Sequence, residues 1–190
     1  MKYPAHVVGG LTFGVAANQY VVQHLPIIEH HQLSSIVISS VFIAGSVFGS
    51  LLPDIDHRGS YLGRRLPILS FLANATMGGH RGATHAPFIT VALTTLFVLI
   101  TNYFVNGIFQ LFCLILLAGC MTGALSHIFL DSLTKSGVPL LYPFSKRHYR
   151  LASLTTGGIG EILVTLLMIL VVVWMSTGNF SSGIKSLFQV

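Results

Sequence analysis

Charged side chains are scarce in this sequence: 8% of its 190 residues are Asp, Glu, Lys or Arg. A soluble domain carries about a quarter, so an ordinary water-soluble globule is excluded. Acidic residues are fewest, five in all: Glu29, Asp54, Asp56, Asp131 and Glu161. Cysteine is nearly absent. Cys113 and Cys120 lie inside one apolar run, too few for a disulfide framework, and read as packing residues. A single positive charge, Lys2, precedes a glycine-rich stretch. That makes a poor signal peptide, and residues 5–22 read as a helix that stays in the chain. No internal repeat or disordered tail is visible, and the length fits one domain over residues 1–190.

What fills the sequence instead is apolar: 53% of residues are hydrophobic and the mean hydropathy is +0.78. A membrane helix needs about 20 predominantly apolar residues. Residues 33–52, 86–105 and 107–130 each supply such a run without a charge. Residues 162–177 are shorter but densely aliphatic, and residues 5–22, interrupted by His6, Asn18 and Gln19, form the weakest run. The expectation is an all-α polytopic bundle of about five spans. A tight turn at Asn106-Gly107 makes the third and fourth an antiparallel pair.

Following the chain back and forth through those spans gathers the polar residues on one side. That side receives His6, Asp54, Asp56, His57, His80, His85, His127, Asp131 and Glu161, while Glu29, His24, His30 and His31 fall opposite. Nine of the ten basic residues join the first group, and Lys185 alone lies opposite. Lys and Arg concentrate in cytoplasmic loops, so the polar side is expected to face the cytoplasm at headgroup level. The basic clusters Arg64-Arg65 and Lys146-Arg147-His148-Tyr149-Arg150 then read as orientation signals touching anionic lipid. Nothing in them calls for nucleic acid.

Three motifs carry chemistry. Leu51-Leu52-Pro53-Asp54-Ile55-Asp56-His57 ends a span with two carboxylates and an imidazole. Pro53 stops the helix, and the loop after it can bend Asp54 and Asp56 toward one point. The plain alternative is a solvated, capped helix end. Gly78-Gly79-His80-Arg81-Gly82-Ala83-Thr84-His85 places two histidines around a glycine-rich turn that enters a helix. Arg81 there is suited to an anion, although two loop histidines alone say little. In Ser126-His127-Ile128-Phe129-Leu130-Asp131, His127 and Asp131 stand at i and i+4 on one helix face. They can share a metal, or Asp131 can orient His127; a hydrogen-bonded pair closing the helix is the bland reading. Ionisable groups inside a span are costly, which favours function. His6 and Glu161 stand alone at the starts of spans. The first is a possible ligand or a chance interfacial histidine; the second a ligand, a general base or a charge favoured by the helix dipole.

These motifs in this order, followed by Leu133-Thr134-Lys135-Ser136-Gly137-Val138-Pro139-Leu140-Leu141-Tyr142-Pro143, resemble the YdjM family of bacterial inner-membrane proteins, described as metal-dependent hydrolases. The resemblance runs from about His6 to Glu161. Arg58 and Ala86 depart from it, where Pro and Ser are expected. The family is similar, distantly, to the zinc-dependent phospholipase C and nuclease group, helical proteins whose His and Asp ligands come from several helices. The resemblance implies His6, Asp54, Asp56, His57, His80, His85, His127 and Asp131 as metal ligands. Such a nitrogen and oxygen set suits zinc first and manganese next. Eight candidates exceed the needs of one tetrahedral ion, so two ions are expected.

The function expected is hydrolysis of a phosphoester or phospholipid at the membrane face. Asp131 or Glu161 would take a proton from water, and Arg81 would balance negative charge. A metal-ion transporter is the first rival, although transport sites usually lie near the bilayer midplane. A non-catalytic protein with a closed structural metal site is the second.

Overall fold

The computed structural model describes residues 1–20, 35–77 and 81–188. Among the described residues seven helices run in the order α1 (Tyr3–Tyr20), α2 (Ser35–Gly49), α3 (Tyr61–Arg65), α4 (Pro67–Thr76), α5 (Pro87–Phe104), α6 (Gly107–Ser132) and α7 (Ile159–Phe188). Single 3-10 turns at Pro53–Asp56 and Ala83–His85 flank the α3–α4 segment. No strand occurs among the described residues; two isolated bridges, Thr134 with Leu154 and Val138 with Tyr149, tie the α6–α7 loop together.

Among the described residues four stretches are long and apolar enough to cross a membrane: Ser35–Asp56, Pro87–Phe104, Gly107–Ser132 and Ile159–Gly178. The outward faces of α5 and α7 are covered with exposed apolar side chains, among them Phe97, Leu99, Leu170 and Trp174. Water would not tolerate such a surface, whereas lipid does.

The remaining run, expected at residues 5–22, folds as α1 but is not among the four. Its place in the bundle explains why. Gly10 and Gly14 lie against Ser50 and Ser46 of the α2 segment, Gly9 faces Leu130 of α6, and the Thr12 hydroxyl reaches Met168 O of α7. From residue 5 to residue 19 no side chain of α1 is exposed. A helix wrapped by protein need not be apolar all round, so Asn18 is buried and Gln19 donates to Met175 O.

The helices approach closely through small residues. Gly45 and Gly49 on α2 lie against Leu116 and Cys120 of α6, and Gly119 and Gly123 on α6 lie against Phe42, Ser46 and Ser50 of the α2 segment; each pair is spaced four apart, and Gly10 and Gly14 repeat that spacing on α1. Small residues at this spacing let membrane helices touch backbone to backbone. A Cβ on Gly49 would lie 2.1 Å from Cys120 O, and one on Gly119 2.2 Å from Phe42 O. Apolar clusters fill the space beyond: Ile38, Phe42, Leu111 and Ile115 near one end, Met1, Ala5, Leu130 and Met168 near the other.

Candidate metal centre

Four elements deliver polar side chains to one end of the bundle. His6 closes the first turn of α1, Asp54 and Asp56 lie in the turn after α2, and His85 just ahead of α5. His127 and Asp131 come from the last turns of α6. Pro53 has a second effect besides ending α2. It breaks the backbone ladder, which leaves Ser50 O to accept a hydrogen bond from His127 Nδ1 at 2.6 Å. Ser50 was missed as a site residue, yet carbonyls freed ahead of a proline are a signal the sequence does carry.

That bond orients His127. A carbonyl only accepts, so Nδ1 is the donor in it, and in the neutral ring Nε2 would present a lone pair. Nε2 is buried and has no hydrogen-bond partner. Around it the donor atoms are evenly spaced. His85 Nε2 is 3.5 Å from Asp54 Oδ1 and 3.7 Å from Asp131 Oδ2; His127 Nε2 is 3.6 Å from Asp54 Oδ1 and 3.8 Å from Asp131 Oδ2. These separations are long for hydrogen bonds. A tetrahedral ion binding N and O at about 2.0–2.2 Å holds its donors about 3.3–3.6 Å apart, close to what is seen.

His6 stacks on His127, ring centroids 3.6 Å apart, and its Nε2 lies 3.2 Å from Met1 O and 3.4 Å from Asp131 Oδ1. Its buried Nδ1 is without a hydrogen-bond partner. Among the described residues two groups of donors are therefore compact enough to hold an ion, Asp54 with His85 and His127, and His6 with His127 and Asp131. They share His127, which has a single free nitrogen. The donor set fits a divalent metal: nitrogen and carboxylate oxygen, largely dry, with lone pairs converging.

Other residues hold the ligands in place. Asp56 is fully buried behind His85, its Oδ2 3.6 Å from His85 Nδ1, and it accepts hydrogen bonds from Thr84 Oγ1 at 2.5 Å and Arg81 N at 3.1 Å. Burial disfavours charge on His85, but the nearby carboxylates of Asp54 and Asp56 outweigh it and raise the imidazole pKa. Arg81 adopts a left-handed backbone, φ 62°, uncommon for a side chain of its size. Its guanidinium pairs with Asp131 Oδ2 at 2.8 Å and donates to Thr134 Oγ1 and Gly137 O, both at 3.1 Å. The Met1 amino group also contacts Asp131 Oδ1.

Of the residues singled out from sequence, the structure thus brings together His6, Asp54, His85, His127 and Asp131. Asp56 and Arg81 stand directly behind them. His57 is exposed and belongs to neither compact group. Glu161 accepts from Lys2 N and Gly157 N, each at 2.7 Å, and fastens the start of α1 to that of α7. His80, His24, His30 and His31 lie outside the described residues.

A cavity of about 390 Å³ opens onto the cluster, with Asp54 and Asp131 in its wall beside Lys2, His57, Arg64 and Arg81. Asp54 is the most open of the central four, 26% exposed against 1% or less for the others. The centre is thus closed on the protein side and open on one side, an arrangement that leaves room for water or a substrate.

Two variants separate the roles. Asp56→Asn removes the charge behind His85 and is expected to weaken zinc binding about 10–100-fold, read by competition with a chromogenic chelator. Glu161→Ala strips two backbone N–H groups of a charged acceptor. It is expected to cost about 2–3 kcal/mol of stability while the purified protein keeps its metal, measured by thermal unfolding and elemental analysis.

Fold and site together define a polytopic helical membrane protein with a buried His/Asp cluster at one end of its bundle. The chain matches the YdjM inner membrane protein family over residues 1–186 and belongs to it. It is 31% identical to YvsG of Bacillus subtilis (strain 168) over 164 residues, 86% of this chain and 87% of that one. It is also 40% identical to the inner membrane protein YdjM of Escherichia coli (strain K12) over 103 residues, 53% of this chain and 48% of the relative. No solved structure matches.

Proposed function

We propose that the chain is a metal-dependent hydrolase of phosphoesters, one domain over residues 1–190, working at the cytoplasmic face of the bacterial inner membrane. The observation that carries this reading is that His85 Nε2 and His127 Nε2 each lie 3.5–3.8 Å from both Asp54 and Asp131, beside an open, basic cavity. Asp54, His85, His127 and Asp131 would hold one divalent ion, zinc first and manganese next. Because His127 has one nitrogen to give, a second ion would rest on His6 with Asp131 shared between the two. Bound there, the metal supplies an activated water and a counter-charge for the phosphoryl oxygens.

The chain's own groups do the rest. Arg81, Lys2 and Arg64 line the cavity and favour an anion in it. Asp131 is in the cavity wall, whereas Glu161 is occupied with two backbone N–H groups. The basic residues that sort to the site's side support the cytoplasmic orientation. A transporter is disfavoured because the donors gather at one end of the bundle and not at its middle.

The test uses full-length protein in detergent, loaded with zinc or manganese, and bis(p-nitrophenyl) phosphate. Metal-dependent release of p-nitrophenol, abolished by a chelator and restored by metal, is expected. A protein that binds metal stoichiometrically yet cleaves no phosphoester would instead hold a structural ion.

A further inference from the structure

Helix α4 is built inside out for a helix in water. Its Ser70 is fully buried, while Ile68, Leu69, Phe71 and Leu72 are exposed, Ile68 by 75%. Asn74, four residues after Ser70 and so on the same face, donates to Asp56 O at 2.9 Å. The polar face therefore turns toward the turn that carries Asp54 and Asp56, and the apolar face turns outward. In water that arrangement would expose several large apolar side chains for no return. In lipid it is the favourable one.

Position supports the same conclusion. The segment between α2 and α5 leaves and re-enters the bundle at the end where the metal cluster lies. Ten residues reach only about 15 Å as a helix, too short to span. Ala73 of α4 and Met77 just after it line an apolar groove of about 450 Å³ together with Phe48, Leu52, Leu93 and Phe97. The outward face of α4 is thus continuous with the lipid-facing surface of α2 and α5. Basic residues border it: the Arg58 guanidinium lies over the Phe71 ring at 4.9 Å, and Arg65 over Tyr61 at 3.7 Å. An apolar face edged with arginine is the pattern of a helix lying in the interface of an anionic leaflet. Arg64, one turn before α4, is itself in the wall of the cavity.

We infer that α4 is embedded in the leaflet as an in-plane anchor, and that the phosphate reaching the cavity is carried on a membrane lipid. This rests on the hydrolase reading and narrows its substrate to a phosphoester anchored in the bilayer. With α4 at the boundary of headgroups and acyl chains, the cavity mouth lies at phosphate depth. A lipid then moves its headgroup sideways past Arg64 to Asp54 without leaving the membrane. In the reaction, the bond from water oxygen to phosphorus forms as the ester bond breaks. One water proton leaves with the departing alcohol, and the remaining hydroxyl stays on the phosphate.

The experiment uses full-length protein reconstituted in phosphatidylcholine vesicles containing phosphatidylglycerol, with bis(p-nitrophenyl) phosphate as the soluble comparison. Turnover of phosphatidylglycerol is expected to exceed that of the soluble diester. Ile68→Glu, a change at an exposed position, is expected to lower the ratio of lipid to soluble kcat/KM by about tenfold, because a carboxylate resists entry into the interface. A soluble diester cleaved while the vesicle lipid is not, or a ratio indifferent to Ile68→Glu, overturns the lipid substrate and leaves the hydrolase standing. No cleavage of either ends both.

A second readout needs no activity. In a Cys113→Ala, Cys120→Ala background, Leu69→Cys labelled with an environment-sensitive dye should be quenched by nitroxide lipids and shielded from aqueous iodide. Ready quenching by iodide overturns the anchor.

Discussion

His127→Ala is expected to empty the metal centre, lowering bound metal in purified protein to under about a tenth of wild type and kcat/KM by about a thousandfold or more. The magnitude follows from the place of His127 in both compact donor groups. Its Nε2 is the one buried nitrogen common to them, and the charge stabilisation that leaves with a catalytic ion amounts to several kcal/mol. Elemental analysis and steady-state kinetics read the two effects separately. His6→Ala tells one ion from two. If the cluster holds two, the variant loses the ion beside Asp131 and keeps the one among Asp54, His85 and His127. If it holds one, the metal content is unchanged. A His127→Ala protein that keeps its full metal content would place the ion elsewhere and remove the basis of the hydrolase reading.

Much of this centre was legible before any coordinates, and for one physical reason. A membrane span admits so few ionisable groups that those present mark helix ends or sites. Following the chain through its apolar runs was enough to set Asp54, His85, His127 and Asp131 on the same side. What that reasoning lacked was rank among neighbours. Asp54 and Asp56 are two residues apart in one motif, yet a 3-10 turn points the first at the ligand cluster and the second at Thr84 and the Arg81 backbone. Nothing in Pro53-Asp54-Ile55-Asp56 distinguishes them, because the choice depends on where the Ala83–His85 turn lands. Glu161 is a similar case. Its position at the start of α7 fits a helix-dipole charge, and its partners, the backbone of Lys2 and Gly157, are visible only once α1 is docked.

Helix α1 shows the opposite difficulty. Hydropathy measures contact with lipid, so a helix surrounded by other helices scores poorly even when it shares their bundle. The close packing that surrounds it was also written in the chain, in glycines spaced four apart at 10 and 14, 45 and 49, and 119 and 123. Read together, those three pairs identify which faces of α1, α2 and α6 meet. Hydrophobic run length alone cannot do so.

The same glycines tie the membrane packing to the metal centre, and Gly123→Ala is expected to damage both. A Cβ at position 123 would sit 1.8 Å from Ser46 O and 2.6 Å from Ser50 N. Both are backbone atoms of the α2 segment, so no side chain can swing aside to make room. Overpacking of a close interface costs about 1–3 kcal/mol and sometimes more, and a backbone clash this deep belongs at or above the top of that range. To relieve it, α2 must move away from α6, and Ser50 moves with it. Ser50 O is the acceptor that fixes the His127 ring, so His127 Nε2 loses its orientation toward Asp54 and Asp131. The variant should therefore melt well below wild type and bind zinc more weakly, although residue 123 contributes no ligand. Gly178→Ala, at a site with nothing within 4 Å of the added carbon, should do neither. Equal metal affinity in Gly123→Ala and wild type would show that the helix crossing at Gly123 does not set the ligand geometry.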